Sequence, residues 1–193
     1  MVSEEAFERA SILVVDDQEA NVLLMERILK KAGYVNVSST TDPREVLSLY
    51  DSFDPDLIIL DLLMPYVDGF QVMEQLSKVL PDGTYLPILV LTADLTTGAM
   101  HRALSMGAKD FLHKPFDSVE VLLRIRNLLE TRFMHVRLRD HTEELERKVL
   151  ERTEALSKSL ERMTEMAEHR RSLLGRLSGV NPPAPVSGTA EVD

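Results

Sequence analysis

Residues 57–69 read LIILDLLMPYVDG. Leu57, Ile58, Ile59 and Leu60 form an apolar run without polar alternation, which is how a strand reads when helices cover both faces of its sheet. The run stops at one carboxylate, Asp61, and Pro65, Asp68 and Gly69 follow, residue types that shape turns and begin helices. Working outward, short β-branched or Leu-rich runs also occupy 12–15, 35–39, 88–91 and, more weakly, 110–112. Between them apolar residues fall at helical spacing: Val22, Leu23, Met25, Ile28 and Leu29, then Val46, Leu47 and Leu49, then Phe70, Val72, Met73 and Leu76, then Met100, Ala103, Leu104 and Met106. The punctuation agrees, with Gly33 after the first helical stretch, Asp42 and Pro43 as N-cap and first residue of the second, and Gly107 after the fourth. Strand and helix alternate five times, which predicts an α/β fold with a parallel sheet wrapped by helices.

The chain has 193 residues, of which 44% are hydrophobic, sufficient for one packed core and an appendage. Its net charge of -10 is uneven: residues 1–116 carry 9 Lys and Arg against 18 Asp and Glu, whereas residues 117–193 carry 13 against 14. An acidic chain without a basic cluster repels phosphate backbones and anionic lipid, so direct nucleic-acid binding is not expected. The absence of cysteine removes disulfides, thiolate metal sites and Cys nucleophiles together. No apolar run approaches the roughly 20 residues of a bilayer span, and the acidic residues 1–10, read as an N-terminal extension, lack a signal peptide's apolar stretch. A cytoplasmic location without membrane insertion is the expectation.

Beyond Lys114 and Pro115 the texture changes. Residues 117–178 contain no proline and one glycine, Gly175, near the end. This pattern predicts one long helix whose first turns, with Val121, Leu122, Ile125, Leu128 and Leu129, pack on the sheet. A seam of alternating four- and three-residue steps then runs through Leu138, Thr142, Leu145, Val149, Arg152, Leu156, Ser159, Met163, Met166, Arg170 and Leu173, the signature of a coiled coil. Arg152, Ser159 and Arg170 interrupt it, so the coil is expected to be imperfect. The alternative is a single solvated helix, which would leave its apolar stripe wet. Residues 179–193, with three prolines and small polar residues, read as a disordered tail.

Every expected strand except the second ends beside a reactive group: Asp16 and Asp17, Asp61, Thr92 and Lys114. In an open parallel sheet the carboxyl ends share one edge, where ligands bind. A single Asp at a strand end is commonly a helix cap; four strand ends in agreement point to a site. Carboxylates 4 Å apart repel by about 4 kcal/mol per pair at an effective dielectric near 20. Lys114 supplies one compensating charge and a hard divalent cation the rest, Mg²⁺ being the natural occupant and Mn²⁺ an alternative. The five histidines lack metal-ligand spacing, and Met25, Met73 and Met106 occupy core-compatible positions.

With LVVDD, LIILDLLMPYVDG, VLTA and DFLHKPF in this order and spacing, residues 11–129 resemble the receiver domain of two-component response regulators. The resemblance implies a flavodoxin-like, doubly wound five-stranded sheet of order 2-1-3-4-5. It also implies that Asp61 is the phosphoacceptor and that Asp16, Asp17, Asp61 and the Leu63 backbone carbonyl hold Mg²⁺, with Asp17 a direct ligand and Asp16 acting partly through water. Thr92, Ala93 and Lys114 would bind the phosphoryl group. Phe111 would move with Thr92 by packing alone, or else is a core residue of the last strand; the remaining switch element is the segment 94–106. Asp68 is expected to cap the helix that follows it. The implied partners are a histidine kinase or phosphotransfer protein, a second copy of the chain joined through residues 130–178, and an unknown output protein. Residues 138–156 resemble linker helices that join receivers to output domains such as cyclic-di-nucleotide enzymes, so an N-terminal fragment of a larger regulator is the alternative. A Mg²⁺-dependent aspartyl-phosphate phosphatase is a rival, but such haloacid-dehalogenase enzymes place the nucleophile after the first strand and the acidic metal ligands late, the reverse of the order here. A pseudo-receiver acting only as a scaffold is disfavoured by the complete acidic set.

Overall fold

A computed structural model describes residues 4–81, 83–93 and 97–178. The expected disordered tail, residues 179–193, and the first residues of the expected switch segment, 94–96, lie outside them. The chain divides into two units at residues 139 and 140.

In the first unit a short helix, α1 (Glu4–Glu8), precedes β1 (Ser11–Val15), α2 (Glu19–Lys31), β2 (Asn36–Thr40), a 3₁₀ turn (Pro43–Glu45) leading into α3 (Val46–Phe53), β3 (Leu57–Asp61), α4 (Gly69–Val79), β4 (Ile88–Thr92), α5 (Thr97–Ser105), β5 (Asp110–His113) and α6 (Ser118–Ser178), which extends into the second unit. The five strands form one parallel sheet of order β2-β1-β3-β4-β5, the flavodoxin-like topology.

The unbroken apolar strands are explained by burial on both faces. Ile12, Val14, Leu57, Ile59, Leu89, Leu91 and Leu112 meet Met25 and Leu29 of α2 and Val121, Ile125, Leu128 and Leu129 of α6. Leu13, Val15, Ile58, Leu60, Ile88 and Val90 meet Val46 of α3, Val72, Met73 and Leu76 of α4 and Ala103 of α5. At roughly 1.5 to 3 kcal/mol per fully buried large aliphatic side chain, these two layers dominate the folding energy. Gly33 follows α2 at φ +95, a left-handed position that a Cβ disfavours. The second strand begins at Asn36 rather than at Val35, because Val35 is 73% exposed and its N–H bonds to the Glu8 carbonyl instead of joining the ladder.

Within the expected N-terminal extension, residues 4–8 form α1. Phe7 of α1 is buried in the first layer and meets the Phe133 ring edge-on, with centroids 5.8 Å apart. The root of α6 is tied to the amino-terminal ends of the strands. Arg124 makes a bidentate bond to Asp110 of β5, and Arg132 bonds the Tyr85 carbonyl at 2.8 Å and lies 3.4 Å from Asp56.

In the second unit the helix continues through residue 178. Leu145, Val149, Leu156, Met163, Met166 and Leu173 of the seam are all exposed, and so are Leu150, Leu160 and Leu174 beside it. Leu138 of the seam, in the first unit, is exposed as well. No helix among the described residues is long and apolar enough to cross a membrane.

Candidate functional site

Parallel strands deliver their carboxyl ends to one edge, and the polar residues expected to meet there do so. Asp16 and Asp17 follow β1, Asp61 ends β3, Thr92 ends β4, and Lys114 follows β5. One carboxylate oxygen from each of Asp16, Asp17 and Asp61 falls within 4.8 Å of the others. Asp16 is 1% exposed, Asp61 3% and Thr92 3%, so these three side chains sit out of bulk water at the sheet's rim, while Asp17 is half-buried.

Lys114 Nζ lies 2.6 Å from Asp16 Oδ2 and 3.1 Å from Asp61 Oδ2, bridging two carboxylates with one charge. The Lys114 backbone N–H bonds to the Thr92 carbonyl at 2.9 Å, which fixes where β5 hands over to the lysine. The peptide bond between Lys114 and Pro115 is cis. Burial pushes the Asp61 carboxyl above its ordinary range. Lys114 works against that shift, Asp16 adds to it, and hydrogen bonds from Lys114 and the Leu63 backbone pull it down.

The acidic residues differ in how fully they are satisfied. Asp16 accepts from the Gln18 N–H at 3.0 Å, from Asn21 Nδ2 at 2.9 and 3.1 Å, and from Lys114. Asn21, a polar residue on the first turn of α2 and five positions after Asp16, carries no sequence signal that distinguishes it from an ordinary surface residue. Asp17 Oδ1, by contrast, is buried without any hydrogen-bond partner among the described residues. A buried carboxylate oxygen left unpaired costs several kcal/mol. An all-oxygen set of three carboxylates with one unsatisfied ligand atom suits a hard divalent cation, and Mg²⁺ fits that donor chemistry.

The loop after β3 is set by close approach of backbone. A Cβ at Gly69 would lie 2.4 Å from the Asp61 carbonyl oxygen and 2.8 Å from Leu62 Cα, so only glycine lets α4 begin against the acceptor strand. Asp68 caps that helix in a reciprocal capping box with Gln71, as expected. Leu63 points its side chain to solvent, 58% exposed. Ala93 is exposed one residue past Thr92.

Phe111 packs, partly buried, against the layer that holds Val90, its register partner. Its ring meets His113 edge-on at 5.4 Å. His113, one of the five histidines without metal-ligand spacing, is half-buried. Its Nδ1 is the other buried side-chain polar atom without a partner among the described residues.

The family model of the response regulator receiver domain matches residues 12–126. The response regulator PleD of Caulobacter vibrioides is 44% identical over 124 residues, 64% of this chain and 26% of that protein. The response regulator MprA of Mycolicibacterium vanbaalenii is 44% identical over 118 residues, 61% of this chain and 49% of that protein. The chain thus spans half or less of the length of these curated relatives. Among solved structures, a putative response regulator from Chloroflexus aurantiacus superposes with a TM-score of 0.58 at 33% identity, covering 63% of this chain and 98% of that one. A putative response regulator/GGDEF domain protein superposes with a TM-score of 0.61 at 26% identity, covering 66% of this chain and 52% of that one. The parallel sheet, the acidic rim and this match over most of the first unit have one reading: the chain belongs to the response regulator receiver domain family of two-component systems.

Proposed function

We propose that this receiver domain accepts a phosphoryl group on Asp61 from a histidine kinase or phosphotransfer protein and passes the resulting change to a partner protein through its C-terminal helix. The observation that carries the reading is the Asp17 oxygen, buried and unpartnered, in a cluster with Asp16 and Asp61. Asp17, Asp61 and the Leu63 backbone carbonyl would hold Mg²⁺, or Mn²⁺, with Asp16 contributing partly through water. When bound, the cation supplies positive charge against phosphoryl oxygens.

The chain's own residues do the rest. An Asp61 carboxylate oxygen attacks phosphorus in line; an oxygen–phosphorus bond forms as the donor's bond to phosphorus breaks, and the electron pair leaves with the donor. Lys114, which spans Asp16 and Asp61, turns its ammonium to the incoming phosphoryl oxygens. The Thr92 hydroxyl and the Ala93 backbone N–H serve as further donors, and Phe111 follows Thr92 by packing. The phosphoryl brings close to two negative charges and several acceptor oxygens to the rim, enough to redistribute these contacts.

For output, residues 11–129 act as the receiver and residues 130–178 as a homodimeric coil joined through Leu138, Leu145, Val149, Leu156, Met163, Met166 and Leu173. Support comes from the exposed stripe, since an apolar face of that length is unfavourable in water. A second reading, a fragment of a larger regulator with an enzymatic output domain, draws on the relatives that exceed this chain, including the response regulator/GGDEF protein. The test is intact mass after incubation with a small phosphodonor and Mg²⁺: the chain gains one phosphoryl group and Asp61→Asn gains none. An adduct that persists on the Asn variant assigns the acceptor elsewhere.

A further inference from the structure

Among the described residues, His113 Nδ1 is the one buried, unpartnered side-chain polar atom that the proposed chemistry leaves unused. It ends β5, and in the parallel ladder its register partner is Thr92. Register partners in this sheet face the same layer, as Val90 and Phe111 do two pairs earlier. Adjacent strands lie about 4.8 Å apart, so two side chains on the same face at paired positions are immediate lateral neighbours. His113 is therefore the lateral neighbour of Thr92 across the ladder, and its ring meets the Phe111 ring at 5.4 Å.

Buried polar atoms without partners are uncommon, and each calls for a physical reason. Asp17 Oδ1 has one in the acidic cluster. His113 Nδ1 has none in this state of the molecule, because neither Phe111 nor any other described residue offers it a bond. A threonine hydroxyl has one proton and two lone pairs. Once that proton is given to a phosphoryl oxygen, the Thr92 oxygen is left as an acceptor inside a buried rim, and the lateral neighbour able to donate to it is an imidazole N–H. A donor that binds the hydroxyl oxygen both orients its proton and strengthens the bond it makes onward.

We propose that His113 is a positioning residue of the switch: its Nδ1–H donates to the Thr92 oxygen when the Thr92 hydroxyl turns to the phosphoryl group on Asp61, forming a chain from imidazole to hydroxyl to phosphoryl oxygen. The inference rests on the reading of Asp61 as phosphoacceptor and adds to it a hydrogen-bonding role that Phe111 cannot fill. It assigns His113 the Nδ1–H tautomer in the modified state.

The experiment uses the full chain with ¹⁵N-labelled histidine and beryllofluoride plus Mg²⁺ as the acyl-phosphate mimic. The His113 Nδ1 resonance is expected to change to that of a hydrogen-bonded N–H on addition of the mimic, and to lose the change in Thr92→Ala. His113→Phe keeps the ring and removes the donor. In that variant the Thr92 methyl resonance, which reports how far the mimic shifts the population, should stop short of its wild-type position, with the equilibrium displaced three- to tenfold, the range set by about 0.6 to 1.4 kcal/mol for one net hydrogen bond. His113→Asn, whose amide nitrogen can reach the position of Nδ1, should restore most of the shift, which a purely space-filling role would not allow. An Nδ1 resonance unmoved by bound mimic, or His113→Phe switching as fully as the wild type, overturns the proposal. If the mimic fails to bind at all, the reading of Asp61 falls first and this inference with it.

Discussion

Replacing Asp61 by Asn should stabilise the metal-free protein, although it destroys the proposed acceptor. In the absence of a cation the rim holds three carboxylates against one lysine. Taking the 4.8 Å bound for the spacing of ligand oxygens, each of the two repulsions that Asp61 suffers, from Asp16 and Asp17, is worth about 3.5 kcal/mol at an effective dielectric near 20. Its attraction to Lys114 at 3.1 Å offsets about 5.4 kcal/mol of that on the same scale. Lys114 keeps Asp16 at 2.6 Å after the substitution, so its own charge stays paired. The balance favours the neutral amide by about 1 to 2 kcal/mol, and the lower cost of burying an amide instead of a carboxylate acts in the same direction.

The pH dependence has a definite sign. The folded-state pKa of Asp61 is raised above its usual 3.8, burial being the largest cause. The stabilisation from protonated Asp61 is therefore complete below the unfolded value and lost as pH rises through the folded one. The advantage of Asn over Asp should be absent in acid, open across that window and persist at neutral pH. Urea unfolding in the presence of a chelator measures it directly. Saturating Mg²⁺ should shrink or reverse the difference, because a ligand that binds the folded wild type stabilises it by mass action. An Asn variant no more stable than the wild type at neutral pH in chelator would refute the electrostatic account of the rim.

Gly69→Ala should cost upwards of about 2 kcal/mol, because the added Cβ meets backbone that cannot yield cheaply; thermal unfolding reads the loss, and an unchanged midpoint would show that α4 can back away from Asp61. Lys114→Ala should leave Mg²⁺ affinity largely intact while weakening the mimic-induced change, and titration calorimetry beside the Thr92 methyl shift separates the two. Val149→Glu with Leu156→Glu places like charges in the seam and should turn a dimer into a monomer by light scattering at micromolar concentration, whereas a wild type already monomeric there would remove the coil from the account.

Much of this arrangement was legible because two strong patterns coincide. Runs such as Leu57 to Leu60 are apolar throughout only when both faces of a strand are covered, and Leu57, Ile58, Ile59 and Leu60 are all fully buried, alternating between the two layers. In a parallel sheet, chemistry-bearing residues at successive strand ends must then share one rim. Other features had no such signature. Phe7 is a single aromatic in an acidic decapeptide, too little periodicity to announce that α1 docks on Phe133. Arg132 is one of many charged residues in a long helix, and only the fold brings it to the Tyr85 carbonyl. Asn21 and His113 fall in the same class, because their meaning depends on the partner that Asp16 finds in one case and on the partner that Nδ1 lacks in the other.

The residue that carries the phosphoryl group decides whether this rim is a phosphoacceptor site. Borohydride reduces an aspartyl acyl phosphate to homoserine and leaves free carboxylates untouched, so peptide mass mapping after phosphodonor, Mg²⁺ and borohydride locates the modified position directly. The account predicts homoserine at position 61, with Asp16 and Asp17 recovered unchanged; homoserine at any other position, or none despite a confirmed Mg²⁺ complex, would contradict it.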